Sequence, residues 1–209
     1  MATSAVLAGG QNQIKDADEV SVVDLKAAWP CVQKKVEVLS VSLVWDGPAI
    51  EGLKGWYQDK DITMLIDRLA SRRVPVADAE AAIKTFAEKQ PDAARDEKLT
   101  LLFAGLFDKV SGQRRSVLAG IEKYQKAQQE RAVELERQGT EIAELEKRVG
   151  SSSPDAETPE LQQAREKFNW AQRIFQERQT NIPLACELPV LVEERLYAMA
   201  QAIRANMKS

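Results

Sequence analysis

The feature that most constrains the fold is a heptad pattern of apolar residues that runs from about residue 92 to 149 and resumes from 159 to 207. The apolar side chains recur in alternating steps of three and four, which is the seam pattern of a coiled coil. In the first run the seam residues are Phe103, Phe107, Val110, Val117, Ile121, Tyr124, Leu135, Ile142, Leu145 and Val149. In the second run they are Leu161, Ala164, Phe168, Ala171, Phe175, Ile182, Leu196 and Ile203. The pattern predicts two long helices.

The residues between the two runs predict a reversal of the chain. Gly150 and the serines that follow it stop the first helix, while Thr158 is suited to cap the second and Pro159 to open it. Two helices joined by a short loop form an antiparallel hairpin, in which residues whose numbers add to about 308 lie opposite each other. The outgoing helix would be about 85 Å long at 1.5 Å per residue, which is more than a compact domain needs.

We therefore predict an all-α protein: a helical bundle with a long antiparallel coiled-coil hairpin (about 92–149 and 159–207) and an extended strap near 31–45. The strap is predicted because residues 31–45 lose the helical period, and a short strand is the lesser alternative. Residues 1–15 are expected to be disordered. Residues 16–209 are expected to form a single helical domain that begins with a short helix over 18–28 and from which 122–182 project.

Two short helices are predicted between the strap and the long helix. Asp59 or Asp61 is expected to cap the first, which ends near Ser71, and Pro75 to open the second. The second helix is expected to bury Val76, Ala79, Ile83 and Phe86. Asp92 is expected to cap the long helix.

Glycine and proline mark further positions in the long helices. Gly105 and Gly112 lie one heptad apart, either because another segment crosses that face closely or because the face is exposed. Pro183 and Pro189 predict a kinked or unwound stretch near 181–189. The final helix then starts at about Pro189, and its apolar residues off the seam place it inside the bundle. These residues are Leu191, Ala198 and Ala200.

Polar residues interrupt the seam in the middle of the predicted hairpin. They are Gln128, Arg131 and Gln138 on the first helix, with Arg178 roughly opposite, and Arg114 lies closer to the base. Three interpretations of the middle group remain open. The side chains fix the register of the helices, they mark a weak point at which a partner inserts, or they reach water because a two-helix projection has no deep core.

The sequence contains two cysteines, Cys31 and Cys186, and each lies beside a proline-marked break. A disulfide between them would fasten the start of the strap to the interrupted second helix, and we predict this bond. The alternative is a pair of unrelated buried thiols, as in most cytoplasmic proteins.

Residues 4–9 bear on the cellular compartment, because they resemble the end of a secretory signal with Val6 and Ala8 at the two small-residue positions. Together with the predicted disulfide, this favours a periplasmic or otherwise extracytoplasmic location. The charged start and apolar middle of a signal are missing from the sequence, so an ordinary cytoplasmic N-terminus is the alternative.

The composition argues against several function classes. The chain has no histidine, on which most acid–base catalysis at neutral pH and most zinc and copper sites depend. We therefore predict no catalytic residues, no metal site, no cofactor and no enzymatic activity. The net charge of −3, with both signs interleaved, is typical of a solvated coiled coil, and we expect no nucleic-acid partner. No apolar run is long enough for a transmembrane helix.

Large apolar residues off the seam are the best candidates for contact with a partner. Trp170 lies on the predicted outer face of the second helix, and Ile174 lies one turn further on. Gln128, Arg131 and Arg178 complete the predicted partner-binding set. The other tryptophans, Trp29, Trp45 and Trp56, are expected to hold the strap against the core.

These features predict a non-enzymatic interaction or scaffold protein that uses its hairpin as a docking arm or spacer in a protein assembly. The partners are expected to be other proteins or further copies of the chain. A periplasmic holdase-type chaperone and a helical enzyme with a carboxylate-based site are the alternatives. The predicted hairpin is similar, in architecture, to the projecting hairpins of bacterial periplasmic adaptors and holdase chaperones. The sequence shows neither the half-lipoyl and barrel segments of an adaptor nor the strong basic charge of the trimeric chaperone.

Overall fold

The computed structural model describes residues 29–150 and 158–208, and five helices form the fold of these two ranges. They are α1 (Lys60–Ala70), α2 (Val76–Glu88), α3 (Arg95–Gly150), α4 (Pro159–Thr180) and α5 (Ile182–Ala205). Two 3₁₀ turns, Val41–Leu43 and Gly55–Gln58, precede them, and neither range contains a strand. The predicted all-α class is confirmed. The predictions for residues 1–15, 4–9 and 18–28 concern residues outside the described ranges.

Helix α1 begins where the sequence predicts. The carboxylate of Asp59 accepts hydrogen bonds at 3.1 Å from the backbone N–H groups of Asp61 and Ile62, which satisfies two free donors of the first turn. Its second oxygen accepts a hydrogen bond from Lys98 Nζ at 2.7 Å. The bond from Lys98, followed by that from Ile62, lowers the pKa of Asp59. One carboxylate therefore caps α1 and also joins it to α3.

Two details of the next helices differ from the prediction. Helix α3 begins at Arg95 and not at Asp92, because the N–H of Ala94 closes a turn onto the carbonyl of Pro91 at 2.9 Å. Asp92 instead forms ion pairs with Arg95 and with Lys208, at 3.0 and 2.6 Å. On α2, Val76 is 41% exposed because it is the first residue of the helix, whereas Ala79 and Ile83 are buried as predicted.

The hydrophobic core lies around one end of α3. Its members on α3 run from Leu99 to Val110, and those on α5 run from Val192 to Ile203. The largest fully buried side chains are Phe103, Ile62, Ile66, Leu69, Ile83, Leu99, Leu102, Leu106, Leu196, Met199 and Ile203. Helix α3 has 56 residues, so at 1.5 Å per residue it is about 84 Å long and extends far beyond this core.

Beyond the core, α3 pairs in an antiparallel hairpin with α4 and with the first part of α5. Cross-hairpin contacts such as Arg114 to Glu193 and Gln128 to Gln179 join residues whose numbers add to 307. This register is one residue from the predicted one. Nearer the tip, Arg165 Nη2 lies 2.8 Å from Glu146 Oε1. The heptad pattern therefore predicts both the pairing of the helices and their alignment.

The interruption between α4 and α5 is confined to Asn181, so the predicted kink over 181–189 is wrong in extent. Asn181 itself keeps helical dihedral angles, with φ −87° and ψ −11°. Pro183 lies in the first turn of α5. A backbone N–H there would have no hydrogen-bond acceptor within the helix, so proline is tolerated at this position. Pro189 lies inside α5 and is buried, and it removes one helical hydrogen bond without ending the helix.

The strap (residues 31–45) is fixed at its start, middle and end. Cys31 and Cys186 form the predicted disulfide, with their Cα atoms 5.5 Å apart. Arg114 Nη1 donates a hydrogen bond to the carbonyl oxygen of Val36 at 2.6 Å. Trp45 stacks on Phe103, with the ring centroids 4.0 Å apart. The strap contains the 3₁₀ turn and not the strand that was its lesser alternative.

Gly105 marks a place where two side chains cross α3 closely. A Cβ added there would clash with Cδ1 of Ile66 and would lie 2.8 Å from the indole ring of Trp56. A Cβ added at Gly112 would meet only Arg115 Nη2, at 3.8 Å. The close-crossing interpretation therefore holds at Gly105, and the open-face interpretation holds at Gly112.

Replacing Gly105 with alanine is expected to lower the free energy of unfolding by about 1–2 kcal/mol. Overpacking costs about 1–3 kcal/mol, and the better helix propensity of alanine returns up to about 1 kcal/mol. Gly112→Ala is the matched control and should stabilise the protein, because only the propensity term applies. Urea denaturation measures both variants. Equal stability of the two would contradict the close crossing.

Candidate functional site

A stripe of apolar side chains follows the outer face of α4 and α5, on the side away from the α3 pairing seam. We call it the outer seam and define it as Trp170, Ile174, Leu184, Leu188 and Leu191. These positions, with Glu177 and Asn181 between them, are separated by alternating steps of four and three residues, so they share one helix face. The stripe therefore has the form of a second coiled-coil seam.

The distal part of the outer seam (the distal patch) consists of Trp170 and Ile174. Trp170 is 64% exposed and Ile174 is half-buried, so both predicted contact residues are accessible from solvent. In the hairpin register, Arg137 of α3 lies at the level of Trp170. The distal patch therefore combines an exposed indole with a charged neighbouring helix.

The charged residues beside the distal patch are tied together. Arg137 donates hydrogen bonds to Glu134 at 2.7 and 2.8 Å and to Glu141 at 3.2 Å. The bonds from Arg137 and then from Gln138 lower the pKa of Glu134 to about 2, and the charge of Lys167 on α4 contributes to the shift. Glu134, Arg137 and Glu141 thus form one hydrogen-bonded charged cluster on α3, with Lys167 of α4 close enough to act on it.

The polar residues of the inner seam are engaged within the hairpin. Gln128 is 2% exposed, and its Nε2 donates to the carbonyl of Phe175 at 3.2 Å and to Gln179 Oε1 at 3.3 Å. Arg131 Nη1 donates to Gln128 Oε1 at 3.2 Å. The Arg178 side chain is exposed, and its carbonyl accepts a hydrogen bond from the Tyr124 hydroxyl at 2.8 Å.

The interpretation that this polar group simply reaches water is wrong for Gln128 and Gln138, which are 2% and 6% exposed. The bonds of Gln128 join α3 to α4 and favour the role in fixing register, because another alignment would leave its amide unpaired. Gln128 and Arg131 lie on the pairing face of α3, whereas Arg178 follows Ile174 by one turn of α4, so the structure brings only Arg178 close to the distal patch. Their role in partner binding stays a prediction.

The proximal part of the outer seam (the proximal patch) consists of Leu184, Leu188 and Leu191. Leu184 is 61% exposed and Leu191 is 50% exposed, while Leu188 is half-buried. The prediction that Leu191 lies inside the bundle is therefore wrong, whereas Ala200 is fully buried and Ala198 packs against the core as predicted. The bundle covers α5 from Val192 onward and leaves the three leucines outside. The seven-residue spacing of Leu184 and Leu191, two heptads beyond Trp170, is the sequence signal that could have revealed this patch.

Charged residues border the proximal patch. Glu187 and Glu194 lie on one side of the leucines, given 3.6 residues per turn. Arg195 follows Leu191 by four residues and therefore lies on the leucine face itself. It donates to the carbonyls of Leu69 and Val74, at 2.8 and 2.9 Å, and so holds the α1–α2 loop across the end of the patch.

That loop carries Arg72 and Arg73, which line a shallow surface beside Val192. Within the described ranges, the four flanking side chains, Glu187, Glu194, Arg72 and Arg73, are exposed and form no ion pair. The acids therefore border one side of the leucines, and the arginines lie on the loop near Val192.

A separate groove lies between the strap, the 50–57 segment and α3. Its volume is about 510 Å³, which is within the range of ligand pockets. Its apolar lining includes Leu39, Val41, Ile50, Trp56 and Phe107. Ser111 Oγ is buried there without a hydrogen-bond partner in the described part of the chain. Both acidic and basic side chains stand at the rim, so the groove favours no single ligand class.

Comparison of the chain with protein-family models, with curated proteins and with solved structures gives no match. None of the helices in the described ranges is long and apolar enough to cross a membrane. Within the same ranges, no three His, Cys, Asp or Glu side chains are grouped as a metal site would require. We therefore infer the binding surface of the protein, and the class of its partner, from the geometry of the outer seam.

Proposed function

We propose that this chain is a non-enzymatic interaction protein that uses its hairpin as a docking arm for another protein, in an oxidising compartment outside the cytoplasm. The observation that carries the proposal is the 64% exposure of Trp170, beside Ile174, on an arm that extends well beyond the core. The disulfide between Cys31 and Cys186 supports the compartment, because such bonds are rare in the cytoplasm.

The distal patch has the composition of a binding hot spot. Tryptophan is enriched among residues that dominate interface energies, and one indole can bury up to about 250 Å². Lys167, one turn before Trp170 on α4, would limit the orientations of a partner, since mismatched charges are costly at an interface rim. Because the patch lies on a paired helix, it is already ordered before binding, which reduces the entropy cost of association.

The partner surface that fits best is an amphipathic helix. The steps of four and three residues on the outer seam match the spacing of knobs on a facing helix. A helix lying along α4 would cover Trp170 and Ile174 together, and its polar edge would meet the charged residues of α3.

Trp170→Ala/Ile174→Ala is expected to reduce capture of the partner at least tenfold, because the variant removes both apolar contacts of the patch. Affinity capture from the native extract, quantified by mass spectrometry, measures the loss for each co-purified protein. Met64→Ala is the control, because Met64 is 64% exposed on α1, in the bundle and far from the arm. Full capture by the double variant would contradict the proposal.

A shortened hairpin can distinguish a docking arm from a spacer. Deleting 143–149 and 158–164, which face each other in the 307 register, shortens the arm by about 10 Å and keeps Trp170 and Ile174. A docking arm should still capture its partner after this deletion. If the arm is a spacer, capture of the partner should fall in proportion to the length removed. That result would show that the arm acts as a spacer and not as a docking surface.

A holdase-type chaperone is the second candidate, and exposed apolar side chains on the strap favour it. Val32, Val38 and Leu43 are 103%, 79% and 69% exposed. A holdase should suppress aggregation of an unrelated unfolding protein, and Trp170→Ala should leave that suppression unchanged.

A further inference from the structure

We propose that the shallow recess between the α1–α2 loop, α3 and α5 binds a small organic molecule that carries a phosphate monoester group. We call it the loop recess. The loop contributes Ser71, Arg72 and Arg73, and the two helices contribute Gln113, Val117 and Val192. Its volume is about 560 Å³, which is within the range of small-ligand pockets. The loop recess lies in the bundle, so the proposal goes beyond the docking function of the arm and does not depend on it.

The backbone of the loop is held in place by residues other than its two arginines. Arg195 of α5 donates to the carbonyls of Leu69 and Val74, which attaches both ends of the loop to α5. Ser71 Oγ accepts a hydrogen bond from the backbone N–H of Arg73 at 3.4 Å. The side chains of Arg72 and Arg73 are therefore not needed to hold the loop, and both are exposed at the recess.

The loop recess has an excess of positive charge. Arg72 and Arg73 form no ion pair within the described ranges, and none of the described residues that line the recess is acidic. Arg195 adds a third guanidinium group behind the loop. Its Nε and Nη1 donate to neutral carbonyls, and its Nη2 is buried without a partner in the described part of the chain. An anion in the recess would compensate these charges.

The hydrogen-bond donors indicate that the anion is a phosphate. Guanidinium groups match phosphate oxygens with paired N–H donors. The Ser71 hydroxyl and the Gln113 amide add further donors, which have no acceptor among the described residues. A phosphate monoester has three terminal oxygens and a charge of about −2 at pH 7, which matches two arginines. A carboxylate has two oxygens and one charge, so it would leave one guanidinium without a counter-charge.

The two valines indicate that the group esterified to the phosphate is apolar. Val117 is half-buried, and Val192 is 5% exposed and belongs to the hydrophobic core. Together they form an apolar wall beside the arginines. Inorganic phosphate would leave this wall in contact with water, whereas a short apolar group next to the phosphate would cover it.

Isothermal titration calorimetry of the full chain with phenyl phosphate tests the site. We expect one saturable site per chain. Arg72→Gln/Arg73→Gln should raise the dissociation constant at least about tenfold, because it removes the charged donors. Arg115→Gln/Arg173→Gln is the matched control, since it removes two exposed arginines outside the recess, and it should leave the constant unchanged. Absence of saturable binding, or an equal loss in both variants with the fold intact by circular dichroism, would overturn the proposal.

Two related probes test the ligand class on the unmodified chain. Benzoate keeps the ring of phenyl phosphate and replaces the phosphate with a carboxylate, whereas inorganic phosphate keeps the phosphate and lacks the ring. Each should bind at least about fivefold more weakly than phenyl phosphate. Equal affinity for benzoate would rule out a phosphate site, and equal affinity for inorganic phosphate would rule out the apolar ester group.

The same variants separate this inference from the docking function. Trp170→Ala/Ile174→Ala should abolish capture of the protein partner and leave the binding of phenyl phosphate unchanged. Arg72→Gln/Arg73→Gln should do the reverse. Loss of phenyl phosphate binding in the tryptophan variant would show that the anion binds on the arm, and the loop recess would then not be its site.

Discussion

Reduction of the Cys31–Cys186 disulfide is expected to lower the melting temperature by about 10 °C. The two cysteines are 155 positions apart, so the bond closes a long loop and strongly restricts the unfolded chain. The chain-entropy model gives about 5 kcal/mol for such a loop, and we expect a measured loss of about 3–5 kcal/mol. Each 1 kcal/mol shifts the melting temperature of a protein of this size by about 2–4 °C.

Differential scanning calorimetry with and without a dithiol reductant measures this effect. Cys31→Ser/Cys186→Ser is the control, and its melting temperature should equal that of the reduced wild type and should not respond to the reductant. A wild-type melting temperature that is unchanged by reduction would show that Arg114 and Trp45 alone hold the strap.

Phe103→Ala is expected to lower the free energy of unfolding by about 3–5 kcal/mol, which is the range for a fully buried phenylalanine. The Phe103 ring is fully buried, stacks on Trp45 at 4.0 Å and lies 6.0 Å from Phe107. Its removal leaves a cavity at the point where the end of the strap meets α3. The variant should therefore loosen the strap as well as weaken the core.

Chemical denaturation gives the stability of the Phe103 variant. The difference between its fluorescence and that of the same variant carrying Trp45→Phe reports the state of the strap, because the chain has four tryptophans. Phe107→Ala, at a half-buried position one turn along α3, is the comparison and should cost clearly less. A loss below about 1 kcal/mol at Phe103 would mean that the bundle collapses into the cavity, and the stacked pair would then have little part in stability.

The hairpin and its register could be read from the sequence because both depend on local periodicity. Leu145 and Leu161 are buried at the seam positions that the heptad pattern predicts. Asp59 caps α1, because an aspartate just before the first turn of a helix can accept hydrogen bonds from its free N–H groups. The disulfide could be inferred because only two cysteines were available to pair. In each case, few alternatives competed with the predicted interaction.

The details that the sequence did not predict depend on tertiary packing. Leu191 looks like a core residue by its chemistry, and only the position of α2 and α3 shows that its face of α5 is left uncovered. Pro189 was expected to lie at the end of a kinked or unwound stretch, yet it is buried inside a continuous α5. Gln128 is buried because Gln179 and the Phe175 carbonyl meet it across the hairpin, and a single helix carries no sign of that contact.

The sequence predicted the distal part of the candidate site but not its proximal part. Trp170 and Ile174 stood out because large apolar residues off a seam are uncommon on a solvated coiled coil. The loop at the end of the proximal patch could not be found in the same way. Leu69 and Val74 are distant from α5 in the chain, and the loop between them lies there only because Arg195 donates to their carbonyls.

The disulfide also determines how the molecule responds to a protease. Together with the backbone from residue 31 to 186, it closes a covalent ring that contains α3, α4 and the hairpin tip. A single cut anywhere in that ring opens it but releases no fragment, so the nicked molecule keeps its mass on a non-reducing gel. The two pieces remain bonded and remain paired along the hairpin. The arm can therefore be cleaved once and still be carried by the same bundle.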